Sequence, residues 1–235
     1  MRTLAVLPVK SFSAAKERLG TLLGSGSRHA LAQAMFSDVL TSLGHVDGIE
    51  AIAVVTGDAT AESVAVASQV LVLNDPPEAG QSQAALAGIR HAQATGFERV
   101  LLVPGDTPLL DPAELSDMLR RSAAAGLAAV VVPDRHGTGT NALLLSPPDA
   151  IEPSFGPGSL ERHVKAAGAA GITCAVDPLP SLVLDVDTPE DLAELTALLD
   201  ERRGQAPMTH GALRQLDRSQ ASGPAAESPH ERASA

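Results

Sequence analysis

The residues of this sequence that could do chemistry fall in three short clusters. In the first, the apolar run Leu4–Val9 gives way to Lys10, and Lys16 and Arg18 follow within eight residues. Three cations beyond the end of a strand can neutralise a polyphosphate and the charge that develops as it is transferred. A solvated basic loop is the plainer account of the same residues. In the second, Leu101-Leu-Val-Pro-Gly-Asp106 sets an acid behind an apolar strand. A carboxylate there is costly unless it is paired or holds a cation. That opens two roles beside a divalent metal: bridging nucleotide phosphates, or orienting an anionic nucleophile. Helix capping is the competing account, but Asp111, immediately before Pro112, is better placed to cap, which leaves Asp106 for a ligand. In the third, Leu182-Val-Leu-Asp185-Val-Asp187 reads as a second acidic strand end. Alternation puts Asp185 and Asp187 on one side of an extended segment, close enough to share a cation; capping by Asp187 is the alternative. Asp106, Asp185 and Asp187 could together form a Mg²⁺ cluster.

Two Gly-rich polar loops follow the same logic. Gly137-Thr-Gly-Thr140-Asn141 is one; Phe155-Gly156-Pro-Gly-Ser159 is the other and opens a helix over 159–167. The free N–H groups of that helix would suit a phosphate or carboxylate, and Ser159 could equally be a simple N-cap. His163, four residues on, reads as surface-exposed and has no proton-transfer role. Cys174, within Ile172–Val176, reads as a core residue. The chain has neither GxxxxGK[ST] nor a GxGxxG behind its first strand, so it is not a P-loop protein, and a dinucleotide oxidoreductase is disfavoured.

These clusters need a frame. Leu4–Val9, Ile52–Val55, Val70–Leu73, Val100–Val103 and Val130–Val132 are short and mostly β-branched, as buried strands are. Between them lie Ala- and Leu-rich segments at 27–43, 60–67, 82–94 and 112–125 that read as helices. Asp111-Pro112 and Thr188-Pro189 each supply an N-cap followed by Pro at the first helical position. Strand–helix alternation implies an α/β fold, with a mostly parallel sheet covered by helices on both faces and ligands beyond the carboxyl ends of the strands.

Composition narrows the class. The 235 residues carry a formal charge of −11, one Cys, four Phe and no Trp or Tyr. Net acidity and the scarcity of aromatics argue against nucleic-acid binding. A single Cys excludes a disulfide framework, and no apolar run is long enough to span a bilayer, so a cytoplasmic protein is expected. Residues 1–28 nevertheless hold five basic groups against Glu17 alone, which points to one small anionic ligand. A single domain over 1–203 is expected. Residues 204–235, with only Met208, Leu213 and Leu216 as large apolar groups, read as a disordered C-terminal tail.

Taken in order, PVK…AKERL, ND…GQSQAAL, PGDTPLL, GTGTNALLL, FGPGSLERH and DVDTPEDL resemble one nucleotidyltransferase family. It is the family of 2-phospho-L-lactate or phosphoenolpyruvate guanylyltransferases of coenzyme F-420 biosynthesis, and the likeness covers about residues 3–200. The resemblance implies a single-domain, Rossmann-like nucleotidyltransferase fold, related to the molybdenum-cofactor guanylyltransferases. It implies attack by the phosphate of a three-carbon phospho-acid on the α-phosphorus of GTP, with loss of pyrophosphate. The product would pass to a downstream transferase. By the same resemblance Asp106, Asp185 and Asp187 hold Mg²⁺; Thr140, Gly156 and Ser159 cradle the phospho-acid; Lys10, Lys16 and Arg18 meet the triphosphate, with Asp106, Lys10, Lys16 and Arg18 as the catalytic set. Gly80 and Ser82 fall in the nucleotide-binding motif, where relatives carry Leu-Asn in place of Gln81-Ser82. Phosphoenolpyruvate is favoured over 2-phospho-L-lactate and 3-phosphoglycerate by the Ala-rich, Lys-poor composition. The alternatives are another nucleotidyltransferase, using CTP or a sugar phosphate, and a non-catalytic nucleotide-binding module.

Overall fold

The computed structural model describes residues 1–12, 16–75, 80–202 and 204–221. Seven strands form its sheet: β1 (Thr3–Val9), β2 (Ala51–Thr56), β3 (Leu71–Asn74), β4 (Arg99–Leu102), β5 (Ala129–Pro133), β6 (Thr140–Leu145) and β7 (Cys174–Val176). Their order is β3-β2-β1-β4-β6-β5-β7. Every neighbouring pair is parallel except those made by β6, which runs antiparallel to β4 and β5.

The side-chain period of two divides each central strand between two cores. Ala5, Leu7, Val54, Leu101 and Val130 face α1 (Ser25–Leu43), α2 (Ala59–Ala67) and α4 (Pro112–Ala124), meeting Phe36, Val39, Ala61 and Met118. Leu4, Val6, Ala53, Val100 and Val131 face α3 (Gln81–Ala94) and α5 (Ser159–Ala169), meeting Ala84, Ala85, Ile89 and Ala167. The second layer is thin because α3 turns small residues to the sheet. At Gly88 a Cβ would run into Val6 Cγ1, so only glycine lets the helix lie this close.

Three expectations are corrected. Leu182–Asp187 is not a strand. Both edges of β6 are already taken by β4 and β5, so this acidic segment finds no ladder and is tethered by single bonds: Val186 N to Asp106 O (3.3 Å) and Asn141 Nδ2 to Leu182 O (2.7 Å). Cys174 is only partly buried, because it lies on the edge strand β7. The part of the supposed tail that the structure describes contains a fifteen-residue helix, α7 (Pro207–Ala221), packed on α1. The buried α1 carboxylate of Asp38 accepts Met208 N (3.1 Å), Thr209 N (2.7 Å) and Thr209 Oγ1 (2.6 Å), capping α7 from a distant part of the chain. Ala206 and Leu213 join Leu31, Met35, Leu195 and Leu199 in a third apolar cluster, the last two from α6 (Pro189–Glu201). Arg203 and residues 222–235 lie outside the described residues.

Candidate active site

From β1 the chain steps outward through β2 and β3, then returns to the other side of β1 for β4. Loops leaving β1 and β4 therefore diverge, and a crevice opens at their carboxyl ends. A cleft of about 670 Å³ lies there, lined among others by Lys10, Lys16, Arg18, Asp106, Thr140, Gly156, Ser159, Asp185 and Asp187.

One wall is built from charge. The loop after β1 is pinned by Asp58: its carboxylate caps α2 through Thr60 N (2.9 Å) and Ala61 N (3.1 Å) and accepts Phe12 N (3.0 Å). Burial alone would raise that carboxyl, but the N–H donors outweigh it and hold it below the usual range. Lys10 Nζ pairs with Asp75 at 2.5 Å. Lys16 occupies the left-handed region at φ 59° and heads a 3-10 turn, Glu17–Thr21, that carries Arg18. Its ammonium is buried between Asp106 and Asp187, the latter at 3.0 Å. Desolvation pulls its pKa down; the two carboxylates overcome that and raise it, so Lys16 is charged. Asp185 stands beside this pair with Asn141 Nδ2 at 3.2 Å. Burial, and then the nearness of Asp106, push its carboxyl up.

Among the described residues, no three acidic, His or Cys side chains are disposed as a ready metal cage. An ammonium fills that role between Asp106 and Asp187. The donor set nonetheless fits a hard divalent cation: it is all carboxylate, and Asp185 faces two further acids.

The opposite wall is neutral. Gly156 and Gly158 have φ of 104° and 73°, conformations in which a side chain would be strained, and they turn the chain into the start of α5. Arg162 stitches this loop together, donating to Ser154 O (2.8 Å) and Ser154 Oγ (2.8 Å). Ser159 Oγ donates to Thr140 Oγ1 (3.1 Å), and His163 Nδ1 lies 3.0 Å from the same oxygen. His163, expected at the surface, is fully buried. Burial and the adjacent Arg162 push its pKa down to about 4, so it is neutral. The clue was in the spacing: Ser159, His163 and Ala167 recur every four residues and form the inward stripe of α5.

Gly80 and Ser82 are not among the residues lining the cleft; Gln81 between them is. Gly80 is the N-cap of α3, and the Ser82 hydroxyl accepts Phe155 N (2.9 Å), which ties α3 to the glycine loop. Sequence reasoning gave no role to Asp75 or Arg135, read His163 as a surface residue, and quoted Asn141 only as part of a polar loop. Arg135 lines the cleft and pairs with Asp191 (2.9 Å) and Glu194 (2.7 Å) at the start of α6.

Residues 3–217 match the family model described as guanylyl transferase CofC like. The chain belongs to this family. A phosphoenolpyruvate guanylyltransferase from Conexibacter woesei is 49% identical over 216 residues, covering 92% of this chain and 97% of the relative. Another of that name, from Sphaerobacter thermophilus, is 35% identical over 195 residues, covering 83% and 93%. Among solved structures, a protein assigned as a nucleotide-diphospho-sugar transferase from Desulfovibrio desulfuricans superposes with a TM-score of 0.72 at 18% identity, covering 93% and 96%. That likeness concerns the fold alone. As a member of the CofC-like guanylyltransferases, the chain is a nucleotidyltransferase. Among the described residues no helix is long and apolar enough to cross a membrane.

Proposed function

We propose that this enzyme transfers the GMP moiety of GTP to phosphoenolpyruvate in a Mg²⁺-dependent reaction that releases pyrophosphate, as a cytoplasmic step of coenzyme F-420 biosynthesis. 2-Phospho-L-lactate is the alternative acceptor. The observation that carries the reading is the juxtaposition in one cleft of the Lys16–Asp106–Asp187 cluster and the neutral Thr140–Ser159 loop. The choice of phosphoenolpyruvate is supported by the names of the relatives.

A phosphate oxygen of the acceptor attacks the α-phosphorus of GTP. The bond from that phosphorus to the bridging oxygen breaks, and pyrophosphate leaves with the electron pair. The nucleophile is already anionic, so no strong general base is required. Positioning and charge neutralisation are what the site must supply. Lys10, Lys16 and Arg18 would neutralise the triphosphate once phosphate oxygens replace the carboxylates that two of them now hold. Thr140, Gly156 and Ser159 would cradle the acceptor. Asp106, Asp185 and Asp187 would hold Mg²⁺, which when bound screens the phosphates from one another.

Pyrophosphate release tests the proposal. Purified enzyme is given GTP and Mg²⁺ with phosphoenolpyruvate, 2-phospho-L-lactate or 3-phosphoglycerate separately, with and without chelator, and with CTP in place of GTP. Chelator-sensitive release with GTP and phosphoenolpyruvate is expected. Release with CTP instead, or none with any acceptor from a folded enzyme, would overturn it.

A further inference from the structure

We infer that His163 is a positioning residue of the anion subsite, setting the direction of the Thr140–Ser159 hydroxyl pair so that one O–H proton is left to face the ligand. The inference rests on the proposed reading of that wall as the phospho-acid cradle and deepens it.

One group in this wall has a fixed role. The Ser154 backbone N–H can only donate, and it points at His163 Nε2 from 2.8 Å. Nε2 must therefore be the bare nitrogen. A neutral imidazole carries one N–H, so the proton is on Nδ1. Nδ1 is 3.0 Å from Thr140 Oγ1, and Thr140 must accept there. Ser159 Oγ donates to the same oxygen at 3.1 Å. Both Thr140 lone pairs are then filled, and its own proton remains. Thr140 is part of the cleft lining, while His163 is fully buried, so the spare proton belongs to the group the ligand can reach. If the hydroxyl pair ran the other way, Ser159 would hold the spare proton, and one donor would still remain.

The opposite tautomer removes it. With Nδ1 as acceptor, a relay from Ser159 to Thr140 to His163 would engage both hydroxyl protons and leave only lone pairs facing the cleft. A phosphate or carboxylate offers nothing but acceptor oxygens, so that polarity would repel it. The Ser154 amide thus selects the tautomer, and the tautomer selects the ligand class. The amide is held in place because Arg162 grips Ser154 O and Oγ, and Ser82 accepts the next amide, Phe155 N.

Two substitutions separate the two bonds of the ring. In His163→Gln the side-chain oxygen can still accept Ser154 N, but the amide sits at the Nε2 end and leaves no donor at the Nδ1 position that faces Thr140. In His163→Asn an amide N–H can still reach Thr140 but the Ser154 contact is lost. His163→Gln, which no longer fixes the direction in which the Thr140 proton points, is expected to raise KM for phosphoenolpyruvate severalfold, with KM for GTP unchanged. His163→Asn should recover most of that loss, and His163→Gln should add nothing in a Thr140→Val background. The ¹⁵N spectrum of histidine-labelled enzyme, taken without substrate, should show Nδ1 protonated. An Nε2-protonated ring, additive effects in the double variant, or equal losses in both single variants with KM for GTP rising alongside would overturn the inference and leave His163 a packing residue. A wild-type enzyme silent with every phospho-acid would count against the reading of the site instead. The ¹⁵N spectrum would still decide the hydroxyl polarity.

Discussion

On the β1–β4 wall of the cleft, Lys10 and Lys16 already hold carboxylates; on the β6–α5 wall, Thr140, Ser159 and His163 carry no charge at all. Ion pairs are indifferent to direction and can trade one anion for another, so the first wall can receive a polyphosphate by partner exchange. Hydrogen bonds between neutral buried groups have fixed donors, so the second wall recognises an anion only if its protons already point the right way. Charge gives the cleft its attraction, and hydrogen-bond polarity gives it selectivity.

Four experiments would break or sharpen this contrast. The largest effect is expected at Asp106→Asn, which removes a charge shared by the Lys16 pair and the proposed metal set. Pyrophosphate release should fall on the order of a thousandfold with the fold intact by circular dichroism. Unchanged turnover would discard the charged wall as the catalytic one. Lys16→Met comes next: kcat should drop about a hundredfold, because Asp106 and Asp187 then face each other without a cation and the triphosphate loses one. A loss confined to KM for the phospho-acid would contradict the partner-exchange picture.

Third is acid sensitivity. His163 titrates at about 4 in the folded protein, against an ordinary value of 6.5. Between those values the unfolded chain binds the proton more readily, so stability falls on acidification from pH 6.5 to pH 4 and levels off below. This contribution is on the order of 3 kcal/mol. Urea unfolding of wild type and His163→Gln at both pH values isolates it: the variant should lose less stability, and identical losses would mean the ring is not held neutral. The smallest effect is at Thr140→Val, about a tenfold rise in KM for the phospho-acid and none in KM for GTP. Steady-state kinetics with each substrate varied in turn would show whether the neutral wall serves the acceptor alone.

Charge was also what could be read from the sequence. Asp106 stood out because an acid behind a buried strand contradicts its surroundings, and Leu4–Val9 and Val100–Val103 read as strands because both their faces are buried. Asp111 was legible as a cap because its partner, Ala113 N, is two residues away (2.8 Å). The neutral wall gave no such contrast. What His163 does depends on Ser154 N and Thr140, brought to it only by the glycine turn and by β6, whose polar opening Thr140-Asn141 reads as loop. Leu182–Asp187 has the apolar alternation of a strand, yet alternation cannot say whether a neighbour has a free edge. Asp75 was hidden for a similar reason: its partner Lys10 is 65 positions away. α7 was missed because its cap, Asp38, is supplied by another helix 171 positions from Thr209.

That last bond bears on how the protein is made. Asp38 and the Leu31–Met35 stripe of α1 leave the ribosome long before Thr209 and Leu213, which cover them: Thr209 follows Asp38 by 171 positions. Until α7 emerges, the nascent chain exposes an apolar stripe and a carboxylate destined for burial, and this part of the domain cannot close. Stalled or prematurely terminated products are therefore expected to be substrates for chaperones and proteases rather than partly active enzymes.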